Sequence, residues 1–367
     1  MTTPIYSSVG YTYDQMDTLD SVFAGEYEGY VYARYGNPTV GAFERAMTAL
    51  EDGSSAVAFA SGMAAVHGTL MGLGLEQGDR IVAAGDLYGA SHSLMRNLFR
   101  TLGIKTRFVD IQDTEAVRRA VEETNPKAVF CESMSNPLLR VADLDTLSGI
   151  AHAAGARLLV DNTFATPYLV KPLDHGADCT IHSATKYIGG HGDVMAGVMV
   201  CADEDLGRAI DESQRLIGGR LAPRAAWLCL RGIKTLPLRM REHCNNAQTV
   251  AEWLDRQPSF DTVYYPGLPN HPQHNLFARL SANRGYGGMI AFTLKDAARS
   301  QVFRFIEHLR LVLPATTLGD VYSLMLYPAH SSHRLMAPSE REELGISENL
   351  VRLSVGIEDP KDIVGDL

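Results

Sequence analysis

The amino-acid sequence predicts an α/β fold with a largely parallel sheet, followed by a smaller C-terminal α+β domain. Short apolar runs recur along the first half of the chain, and the stretches between them space their apolar residues as helices do. The runs end in polar or glycine-rich loops, and ligands of such folds sit outside the carboxyl ends of the strands. At 367 residues the chain exceeds one small core. It divides into an N-terminal arm (1–40), a large domain (41–235) and a small domain (236–367), the boundary falling in a helical region.

The arm is rich in Tyr, Gly and Asp, with Tyr27, Tyr30, Tyr32 and Tyr35 crowded together. It reads as extended chain with a short helix from Asp17 to Ala24. A surface loop is the simpler reading, but tyrosines at this density more often meet a partner subunit or a ligand. Phe43, Met47 and Leu50 mark a helix over 39–53. Ala56–Ala60 is a strand running into Ser61-Gly62-Met63, which opens another helix. Further strands are expected at 81–83, 106–109, 128–131, 157–160, 178–182 and 194–201. Helices are expected at 113–123, behind an acidic cap, and at 144–154. Residues 209–254 read as long helices. The small domain holds strand candidates at 288–293 and 351–355.

Composition narrows the function. The chain has 33 basic and 43 acidic residues, a net charge of -10, and no basic stripe, which argues against nucleic acid. No apolar run is long enough to span a membrane, and the N-terminus does not read as a signal peptide. Five cysteines without CxxC spacing fit reduced, isolated thiols in a cytoplasmic protein. The histidines form no metal-ligand pattern, so no metal is expected. Nucleophile elbows, P-loops and dinucleotide fingerprints are missing as well.

The chemistry centres on Lys186. An apolar run ends at His182-Ser183-Ala184-Thr185-Lys186, and Gly189, Gly190 and Gly192 follow. The preceding strand, Arg157–Val160, ends directly in Asp161. A strand-end lysine and a strand-end carboxylate are what a pyridoxal phosphate enzyme needs: an amine to hold the aldehyde, and an acid to keep the pyridine nitrogen protonated. Ser183 and Thr185 offer hydroxyls to a phosphate. Ser61-Gly62-Met63 offers backbone N–H groups at a helix start, although such a turn is as often an ordinary cap. Tyr88 follows a strand and could stack on a flat ring, or be a partly buried tyrosine. Arg352, alternating with apolar residues, suits a substrate carboxylate, or a surface ion pair.

These segments together resemble the Cys/Met metabolism family of pyridoxal phosphate enzymes, which includes cystathionine γ-synthase, cystathionine γ-lyase, methionine γ-lyase and O-acylhomoserine sulfhydrylase. The motifs are Tyr32-Ala33-Arg34-Tyr35-Gly36-Asn37-Pro38-Thr39, Ser61-Gly62-Met63-Ala64-Ala65, Val160-Asp161-Asn162-Thr163, His182-Ser183-Ala184-Thr185-Lys186-Tyr187 and Arg352-Leu353-Ser354-Val355-Gly356. The likeness covers nearly the whole chain. It implies a fold type I transferase, with a seven-stranded sheet covered by helices on both faces. It also implies roles. Lys186 carries pyridoxal 5'-phosphate and shuttles protons, Asp161 pairs with the ring nitrogen, and Tyr88 stacks and acts as acid or base. Gly62, Met63, Ser183 and Thr185 hold the phosphate. Tyr32 and Arg34 reach the phosphate of a neighbouring subunit, within a homotetramer of two active dimers. Arg352, Asn136 and Thr317 meet the amino acid substrate.

His191-Gly192-Asp193 and Leu318-Gly319-Asp320 resemble the methionine γ-lyase pattern more than that of the cystathionine enzymes, which usually carry His-Ser-Asp and Leu-Gly-Gly. The implied reaction is therefore α,γ-elimination from methionine or a related sulfur amino acid. γ-Replacement on an O-acylhomoserine is the alternative. Ala90 stands where those lyases place a cysteine, Gln214-Arg215 where they place Lys-Asp, Val321-Tyr322 where they place a small and an acidic residue, and Thr317 in place of serine. The chain also starts later than is usual for the family.

Overall fold

The computed structural model describes residues 2–334 and 336–367. In chain order, the arm and large domain contain helices α1 (Met16–Phe23), α2 (Pro38–Glu51), α3 (Gly62–Gly72), α4 (Gly89–Ser93), α5 (Thr114–Thr124), α6 (Leu144–Ala153), α7 (Thr166–Leu169), α8 (Glu204–Ile217) and α9 (Pro223–Ile233). Strands β1 (Ser55–Phe59), β2 (Arg80–Ala84), β3 (Lys105–Val109), β4 (Ala128–Glu132), β5 (Arg157–Asp161), β6 (Cys179–His182) and β7 (Gly197–Cys201) form a seven-stranded sheet in the order β1-β7-β6-β5-β4-β2-β3.

Local chemistry sets the helix starts. Asn37 caps α2, its side chain accepting the Thr39 N–H at 2.9 Å, with Pro38 in the first turn, where a missing N–H costs nothing. Ser61 caps α3 through the Ala64 N–H at 3.1 Å, and Asp113 caps α5 through the Ala116 N–H at 2.9 Å. The expected strands all form. The sheet departs from parallel at one strand: β7 runs antiparallel to both β1 and β6. The link from β6 to β7 is a loop rather than a helix, so the chain turns back instead of crossing over. That loop carries Lys186. Reversal also brings two cysteines together. Cys179 and Cys201 are register partners with sulfurs 3.2 Å apart, so these two thiols are neighbours, not isolated ones.

In the large domain the helical stretch Gly89–Phe99 after Tyr88 and the short helix Thr166–Leu169 went unread in the sequence, and in the small domain so did most of its elements. In the C-terminal part, β8 (Phe260–Tyr264), β9 (Met289–Leu294), β10 (Leu313–Pro314), β11 (Leu324–Leu326) and β12 (Leu350–Ser354) make a second sheet, ordered β10-β11-β12-β9-β8. Helix α10 (Leu236–Asp255) joins the two parts. Its early residues Leu236, Met240 and Cys244 lie in the core of the large sheet, and Ala247, Val250, Ala251 and Leu254 lie in that of the small one. One apolar stripe at helical spacing thus serves both cores. Among the described residues no helix is long and apolar enough to cross a membrane.

Candidate active site

A cavity of about 450 Å³ opens at the carboxyl ends of β2, β4, β5 and β6 and is closed by the second sheet. Ser61, Gly62, Met63, Tyr88, Asn136, Asp161, Ser183, Thr185, Lys186 and Arg352 all line it. Residues from strand ends far apart in sequence converge there because the parallel strands point the same way.

One end is shaped for an anion. The free N–H groups of the first turn of α3 face it, and they carry the positive end of the helix dipole. A Cβ on Gly62 would lie 2.7 Å from the Ser183 Cβ, so only glycine lets this turn approach the β6 loop. The Ser183 hydroxyl has no hydrogen-bond partner among the described residues. The Thr185 hydroxyl holds the loop closed, accepting the Ala196 N–H at 3.0 Å and donating to its carbonyl at 3.1 Å.

At the other end Asp161 is held on one side only. Its Oδ1 accepts the Thr163 N–H at 3.0 Å and the Thr163 hydroxyl at 2.5 Å. Thr163 Oγ1 in turn accepts the Ser183 N–H at 2.8 Å. Oδ2 has no partner among the described residues and is available to a ring N–H. Burial pushes the Asp161 carboxyl up, against the hydrogen bonds from Thr163. Behind it lies Glu132, the buried last residue of β4. Burial, and then the charge of Asp161, raise Glu132 well above the usual carboxylate range. Its Oε1 accepts the Tyr88 N–H at 2.6 Å and its Oε2 the Asn136 N–H at 3.2 Å.

Lys186 stands between the two sheets. Its Nζ donates to Thr317 Oγ1 at 2.9 Å. Burial lowers its pKa to about 8, with help from Arg352, while Asp320 opposes the shift. A lysine in this state supplies far more neutral, nucleophilic amine near neutral pH than an unperturbed lysine does. Arg352 is buried on the central strand β12. It donates to Asn136 Oδ1 at 2.9 Å and to the Thr317 carbonyl at 3.3 Å. Burial lowers its pKa to about 10, so it stays a cation. Its Nε is buried with no partner among the described residues, and the residue lines the cavity, as a cation suited to a ligand carboxylate does.

Two expected site residues lie elsewhere in this chain. Tyr32 and Arg34 do not line the cavity. Arg34 sits over the rings of Tyr32 and Tyr35, at 5.5 and 4.8 Å, and donates to the Arg215 carbonyl. Arg34 and Arg215 therefore meet at the end of α8, where Gln214 is buried. Tyr322 also lies outside the lining, its hydroxyl close to Gly192 and Asp320. Sequence reasoning missed Glu132, Thr163 and the pair Ser331-Ser332, which close the cavity from the small domain. Glu132 stood at the end of an apolar run, as Asp161 does, and that signal was available.

Comparison with known proteins agrees with this geometry. The model of the family "Cys/Met metabolism PLP-dependent enzyme" matches residues 1–367. Cystathionine gamma-lyase of Bacillus subtilis is 43% identical over 353 residues, covering 96% of this chain and 91% of that protein. L-methionine gamma-lyase of Pseudomonas putida is 41% identical over 365 residues, covering 99% and 90%. The structure of cystathionine gamma synthase from Xanthomonas oryzae pv. oryzae, in complex with aminoacrylate and cysteine, superimposes with a TM-score of 0.94 at 38% identity, covering 100% of this chain and 91% of that one.

Proposed function

The chain belongs to the Cys/Met metabolism PLP-dependent enzymes, and on that premise we propose that it cleaves the Cγ–S bond of methionine or a closely related sulfur amino acid by α,γ-elimination. With one water consumed, the products are a thiol, ammonia and a 2-oxo acid. The observation that carries this reading is the charge of the cavity wall. Its cationic side chains among the described residues are Lys186 and Arg352, and its lining includes Met195, Leu318 and Leu326. Arg352 suffices for one α-carboxylate. This chain offers no further cation there for the distal carboxylate of cystathionine or of a succinyl ester, while the apolar side chains suit a thioether.

When bound, pyridoxal phosphate supplies the electron sink. Gly62, Met63 and Ser183 would hold its phosphate, on the loop that the Thr185 hydroxyl closes, and Oδ2 of Asp161 would take the ring N–H. Tyr88 covers the ring, its main chain fixed by Glu132. Arg352, backed by Asn136, orients the substrate carboxylate and thereby places Cα beside Lys186 Nζ. Lys186 Nζ would take the proton from Cα, hand it on to the bound cofactor and, as a free amine again, take one from Cβ, after which the thiolate leaves Cγ. The Tyr88 hydroxyl delivers a proton to the departing sulfur. Thr317 holds Nζ when the lysine is free.

Tyr32 and Arg34 complete the phosphate site of a neighbouring subunit, in a homotetramer of two active dimers. The exposure of Tyr32 and the absence of both residues from the lining of this chain's own cavity support that reading. Mixing Lys186→Ala subunits with Arg34→Ala subunits tests it, since hybrid dimers regain one intact site.

The second reading, γ-replacement on an O-acylhomoserine, draws support from the Xanthomonas synthase, whose fold and length are matched here. One assay separates the two. Methionine, homocysteine and cystathionine are each scored for 2-oxobutyrate, and O-succinylhomoserine with cysteine or sulfide is scored for thioether. Oxo acid from methionine or homocysteine is expected. Thioether without oxo acid from any sulfur amino acid overturns the elimination.

A further inference from the structure

The small-domain wall of the cavity carries polar groups that no step above uses. Ser331 and Ser332 follow the short helical turn Pro328–His330, and both line the cavity. Each spends its hydroxyl hydrogen inside the protein. The Ser331 hydroxyl donates to the Tyr327 carbonyl at 2.5 Å. Ser332 Oγ lies 2.9 Å from Nδ1 of His333, which is buried. Burial, and then the charge of Arg352, lower the His333 pKa to about 4, so the ring is neutral, with one N–H to give. A hydrogen bond with the Asn136 main chain opposes that shift. A bond that favours the protonated ring is one the ring donates, so the N–H goes to the Asn136 carbonyl. Nε2 is the nitrogen free to make it, having no well-formed partner among the described residues. Nδ1 is left as an acceptor, and the Ser332 hydroxyl donates to it.

The wall stands beside the carboxylate clamp. His333 feels the charge of Arg352 and lies against Asn136, the residue that braces that arginine. On the other side, a Cβ on Gly89 would lie 2.3 Å from the Ser332 carbonyl oxygen, so Ser332 packs against the residue after Tyr88. An amino acid whose carboxylate is held by Arg352 carries its ammonium one carbon away, and that group needs acceptors. The cavity's carboxylates among the described residues are Asp161 and Glu132. Glu132 accepts a main-chain N–H on each oxygen, and Asp161 serves the ring nitrogen. Two hydroxyls with their hydrogens turned away offer the cavity lone pairs only.

We propose that Ser331 and Ser332 form an acceptor wall that receives the α-ammonium of the incoming amino acid, with His333 as the positioning residue that keeps the Ser332 hydroxyl hydrogen turned away from the cavity. The inference rests on the reading that Arg352 takes the substrate carboxylate. Clamp and wall together read both charges of the amino-acid head group. A ligand with the carboxylate but no amine gains from the clamp alone.

The test uses the full-length enzyme loaded with cofactor, titrated by calorimetry with L-norleucine and with hexanoate. The two ligands differ only in the amine, and neither has a group to expel, so the reading does not depend on turnover. Ser332→Ala should weaken norleucine about tenfold, the worth of one hydrogen bond to a charged group, and leave hexanoate unchanged. Adding Ser331→Ala should weaken norleucine further and still spare hexanoate. His333→Leu frees the Ser332 hydrogen and should also weaken norleucine selectively. His333→Gln can donate to Asn136 and accept from Ser332 through one amide, so it should restore norleucine binding even where it lowers the melting temperature. Equal losses for both ligands in the serine variants would reduce the wall to packing, and unchanged norleucine binding would remove it from the head-group site; either overturns the proposal. Arg352→Lys separates the two levels, because it should weaken both ligands. If it spares both, the assignment of Arg352 fails. If it weakens both while the serine variants spare norleucine, the proposal alone fails.

Discussion

Glu132 Oε1 accepts the backbone N–H of Tyr88 at 2.6 Å, and the same carboxylate reaches Asn136 through its other oxygen. One buried side chain thus holds the ring-covering tyrosine in register with the residue that braces Arg352. The arrangement needs an acceptor on both sides. Glu132→Gln presents an NH₂ to one of the two N–H donors and leaves that donor unpaired. The expected loss is about 1–3 kcal/mol of stability, visible as an earlier thermal transition. The kcat/KM should fall at least about tenfold, because a displaced Tyr88 misplaces the reacting groups. Wild-type kinetics in the variant would show that Tyr88 is held by other contacts.

The lysine makes a pH prediction with a definite sign. Lys186 has its pKa lowered from 10.5 to about 8, by burial first and by Arg352 second, and Asp320 works against the shift. Its amine is therefore free above pH 8, and the rate of cofactor capture by the stripped enzyme should rise through that value rather than near 10.5. Asp320→Asn removes the opposing charge and should move the midpoint down. Arg352→Gln should move it up. Stability is linked to the same proton. Between about 8 and 10.5 the unfolded chain carries a proton on this lysine that the folded chain lacks. The lysine's contribution to stability therefore increases with pH across that window, and its burial is costly below it. Stopped-flow capture rates against pH, with the two variants, measure the midpoint directly.

How far the site could be read from the chain depended on whether a residue's partners were close in sequence. Lys186, Asp161, Ser183 and the turn at Gly62 were legible because each ends an apolar run, and parallel strands put such ends on one edge. Arg352 was legible as a strand cation, but its bond to Asn136 spans more than half the chain and its unpaired Nε is a packing fact. Glu132 was passed over because a carboxylate with backbone partners looks, in sequence, like any other. The reversal of β7 was hidden too, since an apolar run carries no sign of direction; the loop that links it to β6 decides that. The helix after Tyr88 lacks the apolar stripe that marks longer helices.

Gly192 and Tyr322 form a second testable unit. Gly192 lies in one of the two Gly-Asp signatures and Tyr322 two residues after the other, and the two segments pack against each other. Gly192 has φ +67, and a Cβ there would run into the Tyr322 hydroxyl and come within 3.3 Å of an Asp320 oxygen. Asp320 is fully buried, and among the described residues neither oxygen closes a well-formed hydrogen bond. Gly192→Ser should therefore cost about 1–3 kcal/mol, from backbone strain and the clash together. Tyr322→Ala should recover the clash component but not the strain. A double-mutant cycle on melting temperature reads the coupling, and strict additivity would mean that the two residues do not share this space.

Arg352 gives the sharpest separation between binding the substrate and binding the cofactor. Its guanidinium is fixed by Asn136 and the Thr317 carbonyl, and only Nε and the remaining N–H bonds are left for a ligand. Lysine keeps the charge but has no planar fork, so it cannot reproduce the fixed geometry in which one group braces against Asn136 and presents a bidentate face to a carboxylate. Arg352→Lys should raise KM for the amino acid by about ten- to a hundredfold, the worth of one or two charge-assisted hydrogen bonds. Cofactor affinity should change little, because the phosphate and ring contacts lie on the other sheet. Asn136→Ala should show a smaller rise in KM, since the guanidinium survives but loses its brace. The two constants are measured separately, by substrate kinetics with saturating cofactor and by cofactor titration of the stripped enzyme. A fall in cofactor affinity as large as the rise in KM would place Arg352 in the architecture of the whole cavity rather than at the substrate carboxylate.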